Sequence, residues 1–176
     1  MSDSLRGSLL VAAPTLTDPN FRRTVVLLAE HGEGGAMGLV LNRPTDTPVA
    51  DALPDLAGLA GANETVYLGG PVALESVLAV AEVEDPADAS ELVLGHVGFV
   101  QEPDVTVRRG RVFVGYAGWT AGQLEAELEE EAWFVLPAEP DDVFAPDPDE
   151  LWSDVLRRQG GPYAVLALMP PDPSLN

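Results

Sequence analysis

Long unbroken apolar runs alternate along this chain with short breaks rich in Gly, Pro and Asp. Gly7–Ala13 (GSLLVAA) predicts a buried first strand, ended by Pro14. Thr15–Asn20 is turn-rich, and Asp18-Pro19 is a good turn opener. Thr24–Ala29 is apolar and β-branched, the signature of a central strand. Ala36–Leu41 predicts a third strand. The glycine loop Gly32–Gly35 before it makes the pair an antiparallel hairpin, with His31 near Ala36–Gly38 and Arg43 nearer Thr24.

Val49–Ala60 has helical spacing but contains Pro54 and Gly58, which predicts a short or broken helix. Strands are expected at Thr65–Leu68, Ser76–Ala81, Arg111–Val114 and Trp133–Leu136, and Asp85–Ser90 is an acidic loop. Glu91–Val100 fits either pattern. Thr120–Glu130 is the clearest helix: Thr120 and Gln123 have capping-box spacing, Leu124 and Leu128 share a face, and Glu125, Glu127, Glu129 and Glu130 are expected to point mostly to water. Pro148–Gln159 predicts a second helix with Leu151, Trp152, Val155 and Leu156 inward, stopped at Gly160-Gly161-Pro162. Tyr163–Met169 reads as a last strand before a loose tail. Mixed short strands with few helices give an α+β class with a mostly antiparallel, curved sheet. No repeat or linker divides the 176 residues, so one domain over 1–176 is expected.

Composition then removes whole chemistries. There is no Cys, which excludes disulfides, thiolate nucleophiles and Cys-type metal sites. All nine basic residues are Arg; without Lys, the phosphate-binding loop of nucleotide hydrolases and Schiff-base mechanisms are excluded. With only His31 and His96, a three-His zinc site cannot form in one chain. No metal or cofactor is expected. Joint absence of Lys and Ile looks like codon bias in a GC-rich genome, and that bias with solubility accounts for the acidity better than a functional acidic surface does. The run Leu9–Ala13 is too short for a signal-peptide core or a membrane span, so a cytoplasmic, non-membrane protein is expected.

Charge is uneven. Residues 1–45 balance Asp3, Asp18, Glu30 and Glu33 against Arg6, Arg22, Arg23 and Arg43, so the whole net charge of -20 belongs to the remainder. A basic face for phosphate neutralisation is missing, which disfavours direct nucleic-acid binding; Arg108, Arg109 and Arg111 are outnumbered by acids.

The neutral first quarter carries the polar candidates. Asn42-Arg43-Pro44 leaves a buried strand, and Arg43 can present its planar fork to a carboxylate or phosphate or pair internally with an acid. Arg22 and Arg23 would point to opposite faces if extended, leaving at most one for a shared pocket; Phe21 would anchor their loop. Histidine as a residue type can change charge within the physiological range, so His31 could act as a ligand or base, or as a hydrogen-bonded structural residue. Gly69-Gly70-Pro71 and Gly115-Tyr116-Ala117-Gly118-Trp119 could offer backbone N–H groups to an anion, or pack tightly around Tyr116 and Trp119. The carboxylates of Glu125–Glu131 fan out rather than converge, and Asp147, Asp149 and Glu150 lack calcium-loop spacing.

Several of these segments together resemble the YqgE/AlgH family of bacterial proteins: GSLLVAAP at Gly7–Pro14, DPNFRRTVVLL at Asp18–Leu28, Glu30-His31, GAMGLVLNRP at Gly35–Pro44, Gly69–Val72, Gly115–Trp119, Gly122–Glu125, Trp133 and Leu151-Trp152. The match runs in order over nearly the whole chain. It implies an α+β fold whose sheet bifurcates and curls into a pseudo-barrel. It implies no established enzymatic activity; one branch carries a label as a regulator of alginate transcription. Under that label, so acidic a chain acts through a small anion or a protein partner rather than by gripping DNA.

The expected function is therefore a non-enzymatic binding or regulatory protein, with Arg22, His31, Asn42, Arg43, Gly69, Gly70, Gly115, Tyr116 and Trp119 as ligand-binding residues and no catalytic set. The alternative is a hydrolase-like enzyme using His31 as base, for which Ser8 is formally available but has no nucleophile elbow.

Overall fold

In the computed structural model, which describes residues 4–61 and 64–169, the apolar runs of the first quarter lie side by side. β1 (Leu9–Ala12) pairs antiparallel with β2 (Val25–Gly32), and β2 pairs antiparallel with β3 (Gly35–Val40). These strands are apolar without alternation because both of their faces are covered. Leu9, Val11, Leu27 and Leu39 face a core that includes Phe113 and Trp152. Leu10, Ala12, Val26 and Leu28 face a second core of Trp119, Leu124 and Trp133. His31 pairs with Ala36 beside the turn, as the hairpin predicts. Gly35 there has φ +127, and a Cβ on it would lie 2.3 Å from the Trp119 carbonyl oxygen.

The chain then forms β4 (Pro44–Pro48), α1 (Val49–Ala52), a 3-10 turn at Pro54–Leu56 and α2 (Ala57–Ala60), the broken helix that Pro54 dictates. β5 (Thr65–Leu68), β6 (Val72–Val83), β7 (Glu91–Leu94), β8 (Val97–Val100) and β9 (Val107–Trp119) follow. The ambiguous Glu91–Val100 segment is the antiparallel β7–β8 hairpin, turned at Gly95 with φ +58. α3 (Gln123–Glu129), β10 (Trp133–Leu136), α4 (Pro140–Val143), α5 (Pro148–Gln159) and α6 (Pro162–Leu166) complete the described residues.

β9 is where the sheet forks. One edge pairs with β6 from Val107 to Tyr116. Its other edge is shared: Ala117–Trp119 pair with β3, and Phe113 and Val114 pair in parallel with β5. The order is β10-β1-β2-β3-β9-β6-β8-β7, with β4 and β5 on the branch. Its ladder does not close, since β10 and β7 remain edges. The sheet nevertheless curls far enough for one side chain to span it. The Arg6 guanidinium donates to the Ala29 carbonyl at 2.9 Å, to the Leu92 carbonyl and to Glu91 at 3.0 Å, joining β2 to β7.

Three local expectations are corrected. Tyr163–Met169 is not a strand: Pro162 opens α6, and Tyr163 packs edge-on against Phe134 of β10 at 5.2 Å. A short apolar run fits either element, and proline at the first helical position decides it. The helix expected from Thr120 begins at Gln123; the Gln123 side chain accepts the Thr120 backbone N–H at 3.0 Å, while Thr120 caps nothing. Glu125 and Glu127 on that helix turn toward the protein. The expected tail beyond Met169 lies outside the described residues.

Candidate anion-binding cleft

The open end of the β2–β3 hairpin gathers polar side chains because its strands are flanked by Phe21-Arg22-Arg23 on one side and Asn42-Arg43-Pro44 on the other. Phe21 is driven into the second core, 6.2 Å from the Trp119 ring and 5.7 Å from Trp133. Its backbone N–H and that of Arg22 both bond the Asp18 carbonyl, closing a tight turn. Arg23 follows with φ +55, an uncommon left-handed conformation for a non-glycine residue. The extended backbone that would have sent Arg22 and Arg23 to opposite faces is therefore absent, and both line one cleft.

Asn42 holds this geometry in place. Its Oδ1 accepts the buried Val25 N–H at 3.0 Å, and its Nδ2 donates to the Arg23 carbonyl at 2.9 Å, replacing a rung of the ladder. Arg43 donates to the Arg22 carbonyl. Arg23 lies 4.1 Å above the Trp152 ring and donates to the Met169 carbonyl at 3.1 Å. Trp152 is itself fixed by its indole N–H to the Ala12 carbonyl at 2.9 Å. The result is an open cleft of about 870 Å³. Arg22, Arg23, Asn42, Arg43, Pro19 and Pro44 line it from the hairpin side, and Pro148, Asp149, Glu150 and Trp152 from α5.

Its electrostatics are unbalanced. Burial, and then the neighbouring Arg22 charge, push the Arg43 guanidinium below its ordinary value. The same two causes lower Arg23, with Glu150 partly opposing them. Elsewhere, five arginines meet acids, and only the exposed Arg108 has no carboxylate within ion-pair distance among the described residues. Arg6 pairs with Glu91, Arg109 with Glu82 and Asp141, Arg111 with Glu64, Arg157 with Asp154, and Arg158 with Glu139 and Asp142. Neither Arg23 nor Arg43 has a carboxylate within ion-pair distance among the described residues.

The remaining expected site residues lie elsewhere. His31 is at the turn end of the hairpin, about 20 Å along β2 from the cleft at ~3.3 Å per residue. Its side chain is only 6% exposed. Nδ1 accepts the Leu5 N–H at 2.9 Å, so the Nε2–H faces Glu125 Oε1 at 3.1 Å. That hydrogen bond is the main reason the Glu125 carboxyl sits below the usual glutamate range. Gly69, Gly70 and Gly115 occur where two backbones cross. A Cβ on Gly70 would lie 2.1 Å from the Tyr116 carbonyl carbon, and one on Gly115 2.5 Å from the Gly70 oxygen. The Gly69 N–H is already bonded to the Val114 carbonyl at 2.8 Å. Tyr116 is half-buried against the main core. Trp119 and Trp133 both donate their indole N–H to Glu127 Oε1, at 3.0 and 2.9 Å.

Of the expected set, then, Arg22, Asn42 and Arg43 line the cleft, whereas His31, Gly69, Gly70, Gly115, Tyr116 and Trp119 do not, although Gly69 is a backbone neighbour of the strand that leads to Arg43. Arg23, Asp149, Glu150 and Trp152 join the cleft without having been singled out as ligand residues. Nothing local in the α5 sequence announces that its first turn meets the hairpin. Among the described residues no three His, Asp or Glu side chains are grouped to hold a metal ion. Among the described residues no helix is long and apolar enough to cross a membrane.

A forked, mostly antiparallel α+β sheet carrying an arginine-lined cleft is the class these observations define. Residues 9–164 match the AlgH-like family model, and the chain belongs to that family. A UPF0301 protein of Streptomyces coelicolor is 50% identical, over 98% of this chain and 96% of its own length. One from Thermobifida fusca is 43% identical, over 98% of this chain and 96% of its own. Among solved structures, the crystal structure of a Corynebacterium diphtheriae protein matches with a TM-score of 0.86 at 32% identity, covering 96% of this chain and 94% of that one. The solution structure of the AlgH protein from Pseudomonas aeruginosa matches with a TM-score of 0.73 at 33% identity, covering 97% of each chain.

Proposed function

We propose that this AlgH-like protein is a non-catalytic binding protein that takes up a small anion in the Arg22–Arg23–Arg43 cleft. One observation carries the reading. In a chain with 29 acidic side chains, two partly buried arginines crowd a third and have no acid partner among the described residues. Crowding cations raises their mutual repulsion, and a bound anion relieves it. Asn42 fixes the Arg23 backbone, while Trp152 and the Arg22 carbonyl hold the Arg23 and Arg43 guanidinium groups before a ligand arrives, which lowers the ordering cost of binding. A regulatory role in the cytoplasm, exerted through such a ligand or a protein partner without direct DNA contact, is part of this reading.

The alternative with His31 as general base has less support. Both ring nitrogens are engaged, by the Leu5 N–H and by Glu125, and the nearby Ser4 hydroxyl donates to the His31 backbone carbonyl at 3.2 Å instead of to the ring.

The test is ligand-induced stabilisation. At ten times its Kd, an anion should stabilise the wild type by about 1.4 kcal/mol, raising Tm by roughly 3–6 °C. Arg43→Gln should lose this shift while keeping its circular dichroism. If phosphate, phosphate esters and dicarboxylates shift wild type and Arg43→Gln equally, the cleft is not the site.

A further inference from the structure

The cleft has two chemically different sides. The hairpin contributes three arginines, and the first turn of α5 contributes Asp149 and Glu150. Both carboxylates are exposed, and neither pairs with a cation among the described residues. Glu150 is close enough to Arg23 for its charge to be felt there. The space, about 870 Å³, far exceeds what a single phosphate or carboxylate group fills, since a water molecule occupies only ~30 Å³. A ligand that uses the space places its anionic end on the arginines and its body alongside Asp149 and Glu150.

We infer that Asp149 and Glu150 are specificity determinants, selecting a phosphomonoester with one anionic end and a body rich in hydrogen-bond donors, hydroxyl or ammonium, over an extended polyanion. This rests on the anion-binding reading above. A carboxylate accepts hydrogen bonds but cannot donate them when ionised, so hydroxyl and ammonium groups complement it. A second phosphate beside it is repelled. Arginine clusters alone would give the opposite order, because each added negative charge strengthens binding. The acidic wall is what reverses that order. It also accounts for a cleft with three arginines that presents no continuous basic track to a nucleic-acid backbone.

Two matched probe pairs test this by calorimetry at low ionic strength. Fructose 6-phosphate and fructose 1,6-bisphosphate differ by a second phosphate; phosphoethanolamine and ethyl phosphate differ by an ammonium. Wild type should prefer the first of each pair by about three- to tenfold. In the double variant Asp149→Asn, Glu150→Gln both preferences should fall to near parity or reverse, while affinity for inorganic phosphate is kept or rises. The preference is a ratio measured within each folded variant, so a small loss of α5 stability does not move it. Tighter binding of the bisphosphate by wild type, or preferences unchanged in the double variant, overturns the inference. If inorganic phosphate still binds in an Arg43-dependent way in those cases, the anion-binding reading survives alone. If no probe binds wild type, both fall together.

Discussion

The two ends of the β2–β3 hairpin handle polar side chains in opposite ways. At the turn end, His31 is sealed between the Leu5 N–H and Glu125, and two buried indoles share Glu127. Each buried donor has an acceptor, and α3 supplies both acids. At the open end, Arg23 and Arg43 are crowded by Arg22 and receive backbone carbonyls and an aromatic face instead of carboxylates among the described residues. Glu150 acts there only at a distance. The same strands thus carry, at one end, a network in which every donor is answered and only Glu125 Oε2 lacks a partner among the described residues, and at the other a field of crowded cations. Satisfied networks hold a fold together, whereas an uncompensated charge cluster costs stability and is the common mark of a ligand site.

Substitutions at the two ends should therefore differ in size, and replacement of a crowded arginine should differ in sign as well. The largest effect is expected for Glu127→Ala. It strands the N–H groups of Trp119 and Trp133, which are 6% and 4% exposed. A cost of about 3 kcal/mol follows, lowering Tm by roughly 6–12 °C. A drop under about 2 °C in calorimetry would show that the indoles find other partners or water.

Asn42→Ala comes next. It orphans the buried Val25 N–H and releases the Arg23 carbonyl, for about 1.5 kcal/mol and roughly 3–6 °C. It should also weaken anion affinity, because the Arg23 backbone loses its clamp. Unchanged affinity in the folded variant would separate the clamp from the site.

Arg43→Gln sharpens the comparison most directly. Without added anion its Tm should equal or slightly exceed that of wild type, by about 1 °C, since a partly screened like-charge contact is removed. A fall of several degrees would mean that Arg43 is structural after all, as the internal-pairing alternative holds.

The smallest effect is pH-dependent. Glu125 sits below its ordinary value because His31 donates to it. Its contribution is therefore complete above the ordinary glutamate value of about 4.3, and is lost as pH falls through its lowered folded value. Glu125→Gln should flatten that part of the acid limb of a Tm-against-pH curve and leave the slope above about pH 5 unchanged. Parallel wild-type and variant curves below about pH 4.3 would contradict the assignment.

Much of this architecture is legible in the chain. Unbroken runs such as Val25–Ala29 announce strands covered on both faces, and Gly32–Gly35 announces the hairpin that puts His31 opposite Ala36. Asn42-Arg43 could be picked out because polar residues directly after a buried strand must emerge at its end. The broken helix at Pro54 and the inward face of α5 follow from periodicity and proline alone.

Other features depend on contacts distant in sequence. The fork at β9 exists because one strand edge is divided between β3 and β5, a pairing that no local pattern encodes. The roles of Glu125 and Glu127 were hidden because a helical run of acids looks like a solvated face until Trp119, Trp133 and His31 are brought beneath it. Arg23 joined the cleft through a left-handed backbone conformation, and α5 reached it through Trp152 bonding to Ala12, 140 residues away. Hydrophobic period and turn chemistry act over a few residues, so the sequence by itself determined the elements and the family. Which charges are answered and which are left facing each other depends on the mutual placement of those elements, and only the tertiary structure decided that.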